Sequence, residues 1–287
     1  MRLFSTDRGV AREAADGVLE ILDLVERDLG AVLLADPELA SVRGASVRET
    51  VAVGDVKILA PIIRPGKFVC MGINYQAHLD EVKPMFEKLG QTLPTDPVFF
   101  IVPGSAVAGP EDALVLPKIA PDRVDYEVEL AAVIGRGGSE ITEAEAMSHV
   151  VGYTLCNDVS ARDIQSKAMS GGPEFTLTHA KGLNGFKPIG PALVTADEFD
   201  DEIDVRVMTR VNGEVRQDAR TSDFVHSVAK CVAYVSKYMK LEPGDLITTG
   251  SPAGVGHFLG VFLKVGDVVE LSADRIGTLR SEVVAST

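Results

Sequence analysis

The chain has 287 residues, 46% hydrophobic and 24% charged, an ordinary globular composition with length enough to bury a sizeable core. Forty-two acidic against 28 basic residues give a formal charge of −14, which opposes binding to nucleic acid or anionic lipid and obliges any anionic substrate to meet local positive charge. Cys70, Cys156 and Cys231 are too scattered for a disulfide framework or zinc cluster, no apolar run reaches the about 18 residues of a membrane span, and the N-terminus has no signal pattern, so a reduced, cytoplasmic protein is expected.

Residues 1 to 66 mix short apolar runs with a helix-like stretch and end at Ala60-Pro-Ile-Ile-Arg-Pro-Gly66, whose prolines and glycine mark a boundary. A small N-terminal domain over 1–66 and a main domain over 67–287 are therefore expected. KFVCMG reads as a short buried strand, and NYQAHLDEVKPMFEKLG as a helix or mobile segment interrupted by Pro84. PVFFIV, ALVLP, VDYEVELAAVIG, HVVGYTLCND, IGPALVT and IDVRVMTRV are β-branched or apolar runs bounded by turn residues, and Asn212-Gly213 between two of them signals a tight hairpin. One long helix is predicted after Thr221-Ser-Asp223, with Phe224, Val225, Val228, Val232, Val235 and Tyr238 on its apolar face. LITTG, VFLKVG, DVVELSA and LRSEVVA close the chain as strands. The pattern is α+β and β-rich, with few helices and no alternating βαβ repeat.

Alternate residues of a strand share a face, so Asp125, Glu127 and Glu129 are expected to project together from VDYEVELAAVIG, which continues as an apolar, buried strand. Acids in that setting need neutralising, by protonation or by a bound cation. Asp158, ending HVVGYTLCN, supplies a further carboxylate. An all-oxygen set without His or Cys suits Mg²⁺ first, then Mn²⁺, with Ca²⁺ possible, and argues against zinc. The competing reading is a solvated acidic sheet face, with Asp158 or Ser160 capping a turn of helix at Ser160-Ala-Arg-Asp163. His78 and Glu81 are three apart, which places both on one face of a helix where Glu81 can orient the imidazole; the competing reading is a surface helix with an incidental histidine.

GINYQAH, VDYEVELAAVIG, GYTLCNDVSARDIQ, AKGLNGFKPIGP, VNGEVRQ and LEPGDLITTGSPAGVG, in this order, resemble the fumarylacetoacetate hydrolase family over about residues 60 to 287. The resemblance implies a mixed β-roll of stacked sheets, a homodimer, and metal ligands at Glu127, Glu129 and Asp158. It implies His78 as base with Glu81 as its partner, Lys181 as a catalytic cation, and Arg162 and Gln165 as substrate contacts. The competing readings are a salt bridge to an acid such as Asp163 for Arg162 and a solvated loop lysine for Lys181.

Gly250 and Ser251 in the loop Thr248–Gly256 are read as substrate contacts because glycines permit close approach; the plain alternative is a tight turn. His149, His179, His226 and His257 have no comparable sequence partners and read as structural or surface residues. The activity implied is divalent-metal-dependent hydrolysis of a C–C bond in a β-diketo acid such as an acylpyruvate, fumarylpyruvate or fumarylacetoacetate. The alternatives are an oxaloacetate-type decarboxylase, a 2-hydroxyhepta-2,4-diene-1,7-dioate-type isomerase, and a non-catalytic metal- or ligand-binding protein. Four features depart from the family pattern: Val102 where many relatives carry lysine, Ser251 where a threonine is common, Lys187 where they usually carry an uncharged residue, and a long segment from Val82 to Pro94. Met85 and Phe86 in that segment suit a bulkier or more apolar acyl group; the competing reading is that both are packing residues.

Overall fold

The computed structural model describes every residue except 89, 170–176, 201–202 and 287. The chain is β-rich, as its apolar alternation implied. A twelve-stranded sheet has at its centre Lys187–Thr195, Val150–Asn157, Val128–Ile134, Leu246–Thr248 and Phe68–Gly72, with Val98–Val102 on the far edge. A five-stranded sheet packs against it, ordered Glu214–Arg220, Arg206–Val211, Val268–Ala273, Gly277–Ala285, Leu114–Leu116.

Residues 1–66 carry five strands of the larger sheet, and Arg2–Thr6 pairs antiparallel with Lys187–Thr195, so both parts of the chain share one sheet. Every residue of Val128–Ile134 is buried, because this central strand is covered on both faces. Val128, Leu130, Ala132 and Ile134 join the core that includes Val207, Leu271 and Leu279 of the smaller sheet. Ala131 and Val133 face a second core with Leu29, Val32 and Leu33 from the helix Leu29–Ala35. Strand alternation puts Glu129 on this second face, level with Cys156 across the ladder.

Four readings are corrected by the structure. VDYEVELAAVIG is not one strand: Val124–Asp125 pairs with Ser160–Ala161 as a separate ladder, and the central strand begins at Val128. The helix Gln76–Lys88 runs through Pro84 without interruption. Pro84 and Asp80 both lie exposed, so the Asp80 carbonyl that loses its helical donor can take one from water. The helix predicted from 221–223 begins at Val228 instead, capped by the Ser227 hydroxyl, which accepts from the Lys230 amide at 3.1 Å. Phe224 and Val225 are held extended by pairing with Asn74 and Tyr75, a tertiary hydrogen bond overriding local periodicity. VFLKVG forms no strand; Val261 and Val265 are exposed there. Asn212 and Gly213 both have positive φ, 53° and 81°, and turn the hairpin between Arg206–Val211 and Glu214–Arg220 as expected. Among the described residues no helix is long and apolar enough to cross a membrane.

Candidate active site

Glu127 and Glu129 flank the start of the central strand, and Asp158 follows the end of its antiparallel neighbour. The Asp158 amide donates to the Glu127 carbonyl at 2.9 Å, and the Glu127 amide to Asn157 Oδ1 at 3.0 Å. This closure lays the three acids side by side: one carboxylate oxygen from each lies within 4.8 Å of the others, and all three residues are buried. The three buried acids form one cluster rather than a solvated sheet face.

Asp125 does not join them. Freed from the central strand, its buried carboxylate accepts from the Gly256 amide at 2.7 Å, the His257 amide at 2.8 Å and Arg162 Nε at 2.8 Å. Arg162 also donates to Glu127 and, at 2.6 Å through Nη1, to Gln165 Oε1. Its three nitrogens are thus each engaged on the protein, although Arg162 and Gln165 both line the cavity as expected. Lys181 is buried, not a solvated loop residue; its Nζ donates to Glu127 Oε2 and Asp158 Oδ2, each at 2.7 Å.

The charges do not balance. Asp125, Glu127, Glu129 and Asp158 face Arg162, Lys181 and Lys187, and none of these three cations pairs with Glu129. Burial, then the neighbouring Asp158 and Glu127, push the Glu129 carboxyl well above its ordinary range. Burial also raises Glu127, but Lys181 and Arg162 outweigh it and bring that carboxyl down to about 2. One carboxylate lacking a cation, beside two others with oxygens in reach, is the environment a small divalent ion satisfies; an all-oxygen donor set suits Mg²⁺, Mn²⁺ or Ca²⁺.

The acids open onto a cavity of about 610 Å³ that His78, on the helix Gln76–Lys88, also lines. His78 Nδ1 is hydrogen-bonded to Glu81 Oε2 at 2.7 Å, and Glu81 Oε1 accepts from the Gly254 amide at 3.3 Å. The imidazole is held from behind, leaving its other nitrogen free of Glu81. Val82, Met85, Phe86, Phe100 and Phe258 give the cavity an apolar lining, and Lys88 lines it too; of the long 82–94 segment, Leu89 lies outside the described residues.

Ser251 reaches the cavity, whereas Gly250 does not line it: its amide donates to Glu129 Oε2 at 3.2 Å. The Gly250 amide thus faces the acid cluster. His257, read as structural or surface, lines the cavity because the loop before it turns in to cap Asp125. Sequence reasoning also missed Gln217, buried in the smaller sheet. Its Oε1 accepts from the Val128 amide at 3.0 Å, while its Nε2 donates to Ser251 Oγ at 2.8 Å. The glutamine in VNGEVRQ was visible, but nothing local distinguishes it from a solvated strand residue. Cys70 and Cys156 are fully buried, which pushes both thiols far up and leaves them inert.

Residues 67–284 match the family profile described as Fumarylacetoacetate (FAA) hydrolase C-terminal. The chain belongs to the fumarylacetoacetate hydrolase family. Within it, the chain is 41% identical over 233 residues to an oxaloacetate tautomerase from Xenopus laevis described as mitochondrial, covering 80% of this chain and 69% of that one. A crystal structure of 5-carboxymethyl-2-hydroxymuconate delta-isomerase from Mycobacterium smegmatis superposes with TM-score 0.77 at 34% identity, covering 100% of both chains. Maleylpyruvate hydrolase from Sphingobium sp. SYK-6, solved with manganese (II) and pyruvate, superposes with TM-score 0.76 at 26% identity, again over 100% of both. The family and its β-rich fold are thus as the motifs implied, and isomerases and tautomerases stand among its similar members.

Proposed function

We propose that the protein is a divalent-cation-dependent enzyme that moves protons on a 2-oxo acid, interconverting keto and enol forms or shifting a conjugated double bond. The observation that carries this reading is that the His78–Glu81 pair and the trio Glu127, Glu129 and Asp158 open onto one cavity. Mg²⁺ or Mn²⁺ held by the trio would supply the positive charge that favours the enolate over the ketone.

His78 is placed to take the proton from the carbon beside the keto group; the C–H electron pair passes into the enolate, and the imidazole returns the proton at oxygen or at a conjugated carbon. Glu81 holds the imidazole in one orientation and stabilises it when protonated. Lys181, whose ammonium reaches the cavity between Glu127 and Asp158, offers a donor to the developing oxyanion. Support comes from the full-length likeness to a hydroxymuconate isomerase and the similarity to an oxaloacetate tautomerase.

Hydrolysis of a C–C bond in a β-diketo acid, the activity expected from the motifs, is the second reading. It is favoured by the carboxylate behind His78, an arrangement that suits activation of water as well as proton abstraction. The deciding experiment follows the enol absorbance of oxaloacetate and of a hydroxymuconate analogue, with Mn²⁺ present, beside cleavage of acylpyruvates. Catalysed enol–keto exchange without cleavage supports the first reading, and cleavage of an acylpyruvate the second. Inertness towards all of them would leave a ligand-binding protein.

A further inference from the structure

Lys187 is fully buried at the start of the strand Lys187–Thr195, and its ammonium lies 2.7 Å from Asp158 Oδ1. Its remaining contacts are neutral: it donates to the carbonyls of Lys181, of Phe186 at 3.1 Å and of Val159 at 3.4 Å. Asp158 is therefore its one charged partner among the described residues, and the buried ammonium depends on it. Lys181 lies on the cavity side of Asp158, whereas Lys187 is absent from the cavity wall. The two lysines lie against different oxygens of one carboxylate: Lys181 hydrogen-bonds Oδ2, whereas Lys187 is in ion-pair range of Oδ1, which accepts no hydrogen bond among the described residues.

We propose that Lys187 is a positioning residue acting through Asp158: a fixed internal cation, out of reach of substrate, that weakens the acid cluster's hold on a divalent ion while stabilising the cluster when no ion is there. The inference rests on the cation-site reading above. Without Lys187 the four acids face two cations instead of three, so the field drawing in a doubly charged ion strengthens. The same loss leaves Asp158 less compensated, so the ion-free protein is weakened. Through the Lys181 carbonyl, Lys187 also anchors the short helix Thr178–Lys181 that presents the other lysine.

A merely structural lysine predicts the opposite sign, since disturbing Asp158 would loosen metal binding. The test compares wild type, Lys187→Gln, which keeps donors for the carbonyls, and Lys187→Met, which keeps only the bulk. Mn²⁺ affinity is measured by calorimetry and by electron paramagnetic resonance, and thermal melting is followed with and without Mn²⁺. Both variants are expected to bind Mn²⁺ at least about tenfold more tightly, to melt lower when metal-free, and to gain more from Mn²⁺ than wild type does. Equal or weaker affinity overturns the proposal, as does failure of both variants to fold even with Mn²⁺, which would make Lys187 part of the framework. Glu129→Ala is the control: if wild type binds Mn²⁺ and Glu129→Ala does not, the site reading stands whatever Lys187 does. If wild type itself does not bind, the site reading falls first.

Discussion

Glu81 holds His78 from behind, its Oε2 2.7 Å from His78 Nδ1, while its Oε1 accepts from the amide of Gly254 at 3.3 Å. The dyad is therefore tied to the glycine loop as well as to its own helix. A base so anchored loses little orientational freedom on meeting a substrate.

Replacing His78 by Ala is expected to lower kcat by about 10² to 10⁴, the range for a lost general base, with Mn²⁺ affinity unchanged. Glu81→Gln keeps the hydrogen-bonding shape and removes the charge, so a smaller fall, about ten- to a hundredfold, is expected. Enol absorbance under saturating Mn²⁺ measures both. A His78→Ala variant with wild-type kcat would remove the imidazole from the mechanism.

Glu129 is the acid with no cation partner and its surroundings favour the neutral carboxyl, so it is the acid whose loss separates metal binding from folding. Glu129→Gln is expected to raise the melting temperature of the metal-free protein, because a buried carboxyl that must either stay charged without a cation or take up a proton is exchanged for a neutral amide. Mn²⁺ affinity should fall by about a hundredfold or more, since one of three charged ligands is gone. Treating wild type with a chelator should abolish turnover, and adding Mn²⁺ or Mg²⁺ should restore it. A chelated protein that keeps full activity would contradict the proposed chemistry.

Gly250 sits at φ 85°, and a Cβ placed there would lie 2.9 Å from the Asn74 Cβ and 3.2 Å from its backbone nitrogen. Asn74 cannot retreat: its Nδ2 donates to the Thr249 carbonyl at 2.9 Å and its Oδ1 accepts from the His226 amide at 2.8 Å. Gly250→Ala should therefore move the Gly250 amide away from Glu129, costing about 1–3 kcal/mol of stability from the forced backbone and weakening Mn²⁺ binding alongside. Denaturant melts and a metal titration on the same variant report the two effects. Loss of stability with metal affinity intact would show that the amide does not help position Glu129.

E-x-E on an apolar strand and an aspartate ending its neighbour are local patterns that raise the acid trio as a candidate, and i,i+3 spacing does the same for His78 and Glu81, but spacing alone leaves a solvated face or an incidental histidine open; it is the family resemblance that singles these residues out. Asp125 was misplaced because alternation assumes an unbroken strand, and the break at Tyr126–Glu127 depends on Ser160–Ala161, 35 residues away, taking Val124–Asp125 as a partner. Gln217 and His257 were hidden for a related reason: each reaches the site from a remote strand or loop, and nothing beside them in sequence records the contact. The helix after Thr221 started late because Phe224 and Val225 answer to Asn74 and Tyr75 rather than to their own periodicity.

The outer cavity is where specificity should be readable. Val82, Met85 and Phe86, on the helix that also carries His78, line the cavity together with Phe100 and Phe258. On the proposed chemistry, a substrate anchored by its 2-oxo acid end at the acid cluster would extend its remaining carbons along this lining. Turnover across 2-oxo acids of increasing chain length should therefore rise before it falls, with KM dropping for the longer members. Phe86→Ala should raise KM for a long substrate by about tenfold or more, as expected from about 1.5–3 kcal/mol for burying a phenyl side chain, and leave the shortest acid nearly unaffected. Because a phenyl ring offers no polar group to the acids or to His78, kcat for the short acid should be preserved. A uniform loss across all chain lengths would instead mean that Phe86 supports the helix and sets no preference, and a wild-type optimum at the shortest acid would remove the apolar wall from substrate choice altogether.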